Sequence, residues 1–224
     1  MSKLLTLFII CIISLPLWAG LPIKSIDIYV LPYYSAQNGK AELVNVHPEI
    51  DPLLLKNTVD DYKQAVEIVK KEASYITPVT LLALAARAYD LGLRDEAVFW
   101  FYVGRKRLLV LDHVAALPTM LMAEFSGFVQ LTRVPILAYA FCDTQKQEQI
   151  LSDAYEWTKK HPYFMLLDPN VPSKFQDRQE GLKDAQKMLD KRQQEQKTAF
   201  SDPKMKEKIK QSRKENDLDS QFCW

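Results

Sequence analysis

Between Leu81 and Leu111 the chain reads LLALAARAYDLGLRDEAVFWFYVGRKRLLVL, and this stretch restricts the fold more than any other. Thr77 is suited to cap a helix, and Pro78 follows where its missing donor does no harm. Leu81, Leu84, Ala85, Ala88 and Leu91 then recur at steps of three and four, one apolar face of a helix over 78–91. Gly92 ends it by entering the left-handed region without a Cβ penalty. Asp95 and Glu96 suit the start of a second helix, over 94–109. Ala97 to Val103 contains no charge and four consecutive aromatics, Phe99 to Tyr102, so this helix is expected to be buried on every side. Arg105, Lys106 and Arg107 read as its return to solvent.

In this pair Leu84, Ala85, Gly92, Ala97, Phe101 and Gly104 stand in an order and spacing that resembles a tetratricopeptide-type helical hairpin. The resemblance covers about one repeat. Ala88 stands where the pattern has Tyr, and no proline closes the unit. What it implies is an antiparallel helical pair with an aromatic and small residues at the seam. The words RDEAVFWFY also resemble a segment of uncharacterised secreted bacterial proteins, a likeness that implies no activity.

Residues 1–19 have the pattern of a signal peptide. Lys3 precedes an almost unbroken apolar run from Leu4 to Leu17, and Ala19 offers a small residue before a cut. The alternative is an uncleaved anchor, but the run is shorter than the about 20 residues a spanning helix needs. No membrane span is expected after signal removal. Loss of Lys3 leaves 28 bases against 28 acids, a balance that argues against nucleic acid as partner. Cys142 and Cys223 then remain, an even pair that in an oxidising compartment forms a candidate disulfide; two separate thiols are the alternative.

Ile26, Ile28 and Val30 alternate with Asp27, Tyr29 and Leu31. With Asn38–Gly39 as a tight turn and a return over Ala41–His47, they predict a short N-terminal β-hairpin, its first strand within Ile23–Tyr34. Helical periods follow at 59–73, with Thr58 as cap, then at 112–132, where Pro118 either starts or kinks the helix, and at 144–160, with Asp143 as cap. Thr132–Pro135 reads as a break. A charged amphipathic helix is expected over 173–197, weakened by Gly181, either solvated or a partner-binding arm. The fold class is therefore mainly α, a tetratricopeptide-like bundle of antiparallel hairpins with a short β-hairpin. The expected parts are a signal peptide at 1–19, hairpin and connector at 20–57, a helical core at 58–172, a charged helix at 173–200, and a tail at 201–224. The tail is expected to be poorly ordered unless Cys223 ties it down.

Signals for chemistry are sparse. There is no G-x-S-x-G, no H-E-x-x-H and no phosphate-cradling glycine loop, and no cofactor is expected. His47, His113 and His161 sit at element ends. Asp112, His113 and Glu124 form at most an acid–base cluster of unfixed geometry. Arg87, Asp90, Arg94, Asp95 and Glu96 surround the turn at Gly92 as a candidate binding patch; local ion pairing is the competing view. The function expected is a non-catalytic periplasmic or secreted domain that binds another protein, in its sharper form an immunity-type inhibitor of a toxin. A hydrolase of the envelope and a binder of small apolar ligands, using the aromatic helix, are the alternatives.

Overall fold

The computed structural model describes residues 22–26, 33–37, 40–44 and 47–224. The expected signal peptide and the Asn38–Gly39 turn lie outside the described residues. Nine α-helices occur among those that are described: α1 Asp51–Leu55, α2 Val59–Lys71, α3 Pro78–Asp90, α4 Arg94–Val114, α5 Thr119–Ala140, α6 Thr144–Lys160, α7 Arg178–Ser201, α8 Pro203–Glu215 and α9 Leu218–Phe222. A 3₁₀ turn at Phe164–Leu167 joins α6 to α7.

The caps explain why several of these helices begin where they do. The hydroxyls of Thr58 and Thr77 accept the N–H groups of Asp61 and Thr80. The carboxylates of Asp143, Asp177 and Asp202 do the same for α6, α7 and α8. Each satisfies a donor that the first turn leaves without a carbonyl.

Helix α4 is the centre of the bundle, packed against α3, α5, α6 and α7. Trp100, Phe101 and Tyr102 are 3, 0 and 7% exposed, and Phe99 is half-buried. Removing a ring of this size from water is worth about 2 kcal/mol or more. At Gly104 helix α4 approaches α3 closely. A Cβ there would lie 3.0 Å from Leu82 Cγ and 3.2 Å from its backbone nitrogen.

Several expectations from the sequence are corrected. Arg105–Lys106–Arg107 is no return to solvent: α4 runs on to Val114, and Lys106 and Arg107 are 6 and 1% exposed. Arg107 is tolerated there because its guanidinium donates to the carbonyls of Ala73, Ile76 and His161 at 2.6, 2.9 and 2.8 Å. The rings of Trp157 and Tyr163 lie 5.4 and 5.0 Å from it. The break at Thr132–Pro135 does not occur, and Pro135 sits inside α5; the helix starts after Pro118, one of the two roles expected of that proline, and Asp112 belongs to α4. Gly181 does not interrupt α7, and Phe175 packs into the space a side chain there would need. The tail at 201–224 forms α8 and α9, held by a disulfide between Cys142 and Cys223.

The β-hairpin is not supported in the form that the alternation suggested. Residues 22–26 are unpaired as strand, and Ile26 gives its N–H to the Asp90 carboxylate at 2.6 Å. A short antiparallel ladder instead pairs β1 Tyr33–Gln37 with β2 Lys40–Val44. No helix among the described residues is long and apolar enough to cross a membrane.

Candidate functional site

The turn between α3 and α4 places Gly92 at φ 79°, which brings Arg87, Asp90, Arg94, Asp95 and Glu96 around one corner. Arg87 and Arg94 are buried there, whereas Asp95 and Glu96 face solvent. Arg87 is 7% exposed and donates to Asn57 Oδ1 at 2.7 Å, with Asp90 Oδ2 at 3.9 Å. Arg94 is 9% exposed and donates to the carbonyls of Tyr89 and Lys24 at 2.7 and 2.9 Å. Its guanidinium carbon lies 3.5 Å from the Tyr89 ring centre and 4.8 Å from that of Trp224. Burial holds the Arg94 pKa below its ordinary value. Asp95 and Glu96 are exposed but engaged. Asp95 accepts from Tyr139 at 2.9 Å and Lys146 at 3.2 Å, and Glu96 from Tyr62 at 2.9 Å. Burial, then the Asp95 hydrogen bond, pushes the Tyr139 hydroxyl up to about 12. The corner is a fastening: segment 22–26 and Trp224 cover charges that would otherwise meet water. The sequence did not reveal this because both covering segments lie far along the chain.

The histidines are dispersed among separate partners. His47 Nδ1 accepts from the N–H groups of Glu49 and Ile50, so its Nε2 donates to Glu72 at 3.2 Å. His113 lies 2.8 Å from Asp184, and His161 Nδ1 2.9 Å from the Trp157 carbonyl. The Glu124 side chain lies outside the described residues. Among those described, no group of three His, Cys, Asp or Glu could hold a metal.

A better-formed site is the groove between α5 and α8, of about 440 Å³. Its floor is apolar: Val134, Leu137, Phe141, Met205 and Ile209. Val134 is 59% exposed and Leu131, one turn earlier, 62%. Arg133 and Lys208 stand on its rim. Helix α8 carries six bases against two acids, and its five lysines are all exposed. One end of the groove is pinned by Arg213, which is 7% exposed. It donates to the Ala138 carbonyl at 2.8 Å and Asp219 at 2.7 Å. Its Nη2 lies 3.0 and 3.4 Å from the sulfurs of Cys223 and Cys142. The sequence hid this groove because α8, with few apolar residues, reads as a solvated tail.

Over 203 residues the chain is 48% identical to an uncharacterized protein of Haemophilus influenzae (strain ATCC 51907 / DSM 11121 / KW20 / Rd). The match covers 91% of this chain and 80% of that one. The chain belongs to the same family. The family thus has a bacterial member alike over nearly the whole described helical body. No family model matches the chain, and no solved structure matches it.

Proposed function

We propose that the protein is a non-catalytic interaction domain of the periplasm or of secretion, holding an acidic, amphipathic segment of another protein in the α5–α8 groove. The groove carries this reading. It joins an apolar floor, with Val134 more than half exposed and Leu131 equally so one turn away on α5, to a basic helix. A partner helix with apolar residues on one face and carboxylates beside them would fit both. The Cys142–Cys223 bond supports an oxidising compartment, where such bonds persist. In its sharper form the protein is an immunity-type inhibitor, its partner an envelope-acting toxin. The close seam of Gly104 on Leu82 supports taking α3–α4 as a tetratricopeptide-type hairpin. The apolar-ligand reading is weaker, since Trp100 to Tyr102 are packed and Trp100 meets Trp157 edge-on.

The test is affinity capture of envelope proteins by the wild type and by Val134→Glu, a substitution at an exposed position. The expected result is one stoichiometric partner, released by added salt and lost by the variant. No stoichiometric partner, or one that Val134→Glu retains fully, would overturn the proposal.

A further inference from the structure

A second concavity, of about 300 Å³, lies between α4 and α7. Arg105, Lys106 and Arg192 enter it, and Glu195 is the one acid on its wall among the described residues. None of these four makes an ion pair within the described structure. Lys106 is 6% exposed, yet among the described residues its ammonium hydrogen-bonds only to the neutral Gln193 Oε1, at 3.2 Å. The Tyr155 ring centre lies 5.6 Å away. An ammonium this deep ordinarily has a counter-charge. The same wall carries Gln196, whose buried Oε1 has no donor.

We propose that this pocket binds a phosphate monoester carrying a short apolar group. Three bases against one acid leave a surplus of two positive charges, which matches a monoester of about −1.5 to −2 at neutral pH. The two guanidiniums suit phosphate oxygens in pairs, and Lys106 acts as a point charge behind them. Leu109, Leu151 and Leu189 line the remainder, which suits an alkyl or similar group. The volume is at the lower end for ligand sites, so the apolar part is short, or is the first few carbons of a lipid chain that leaves the pocket. The electrostatics agree with the geometry. Burial holds Lys106 down to about 8, and burial with the neighbouring Arg133 and Arg192 lowers Arg105. A dianion would relieve that crowding.

Isothermal titration calorimetry of the intact, oxidised protein at low salt tests this with hexyl phosphate. Hexanol and inorganic phosphate serve as comparisons, and vesicles with or without phosphatidic acid form a parallel arm. One molecule of hexyl phosphate per chain is expected, with hexanol silent and inorganic phosphate at least tenfold weaker. Lys106→Met and the exposed-site variant Arg192→Ala should each weaken binding tenfold or more, with unchanged circular dichroism. Lys204→Ala, on α8, should leave it unchanged. Binding of hexyl phosphate assigns a soluble source; binding only to phosphatidic acid vesicles assigns a lipid head group, and either sustains the site. No saturable response to any phosphate probe, equal affinity for inorganic phosphate, or full binding by both pocket variants would overturn it. The Val134→Glu variant retains this site, so the two proposals fail independently.

Discussion

Replacing Arg107 with methionine should unfold the protein more readily, although it removes a buried charge. Burial holds this guanidinium down to about 10, from an ordinary 12.5, so the cation is less favourable here than in water by about 3 kcal/mol. Deletion relieves that cost. It also strips donors from the carbonyls of Ala73, Ile76 and His161, which belong to the α2–α3 link and the end of α6. A buried acceptor left without a partner costs about 1–3 kcal/mol. The two buried carbonyls of Ala73 and Ile76, with the half-buried one of His161, outweigh the relief, and a net loss of about 2–3 kcal/mol is expected. That is a fall in Tm of about 10 °C for a chain of this size. Trp157, beside the guanidinium, gives the assay: urea unfolding followed by tryptophan fluorescence at pH 7. Arg107→Lys should recover less than half of the loss, because one ammonium cannot reach three carbonyls held by a planar fork. If Arg107→Met lies within 1 kcal/mol of the wild type, or above it, then the carbonyls find other donors and the reasoning fails.

Lys106→Met should act in the opposite sense. With a folded pKa of about 8 against 10.5, the charged lysine lowers stability by about 3 kcal/mol below pH 8, less about 1 for the hydrogen bond to Gln193. The wild type binds fewer protons folded than unfolded between those values, so its stability gains on the variant as pH rises from 8 toward 10.5. Paired urea titrations at pH 7 and pH 9.5 should show the variant's advantage of about 2 kcal/mol shrinking. Gly104→Val should cost about 2 kcal/mol or more, since its side chain meets Leu82 and the α3 backbone; thermal melts would show it. Cys142→Ser with Cys223→Ser removes a link across 81 residues and should cost up to about 4 kcal/mol. Limited proteolysis should then cut first within α8 and α9.

Local signals identified much of the helical frame. Helix α6 spans 144–160 as its Asp143 cap and apolar period indicated, and Thr77 caps α3 as expected. Those features depend on residues within one or two turns. The buried cations were illegible for the opposite reason. Trp100, Gly104, Arg107, Leu111 and Val114 fall on one helical stripe, a sign that Arg107 faces inward. What makes it tolerable is three carbonyls from distant segments, which no period reveals. The order of α8 and α9 likewise depends on Cys142 and the Ala138 carbonyl, both on the far side of α6 and α7 in sequence. Of the alternation over 26–31 only Ile26 is among the described residues, and the backbone groups of Ile26 and Ile23 bond to the α3 end and to Gln221. The burial of Arg94 in the candidate patch at Gly92 was hidden for the same cause.

The corner around Arg94 has a consequence for how the molecule is completed. Ile23 accepts at its carbonyl from Tyr89, and Lys24 from Arg94, contacts within reach of a chain about a hundred residues long. Its other face needs the Ile23 N–H on the Gln221 carbonyl and the Trp224 indole over Arg94. Gln221 and Trp224 flank Cys223, so the residues that close this face are the ones the disulfide fastens to the end of α5. Loss of residues 221–224 would therefore bare the outer side of this corner and release α8 and α9 in one stroke, while the contacts of Tyr89 and Arg94 with the 22–26 segment would remain.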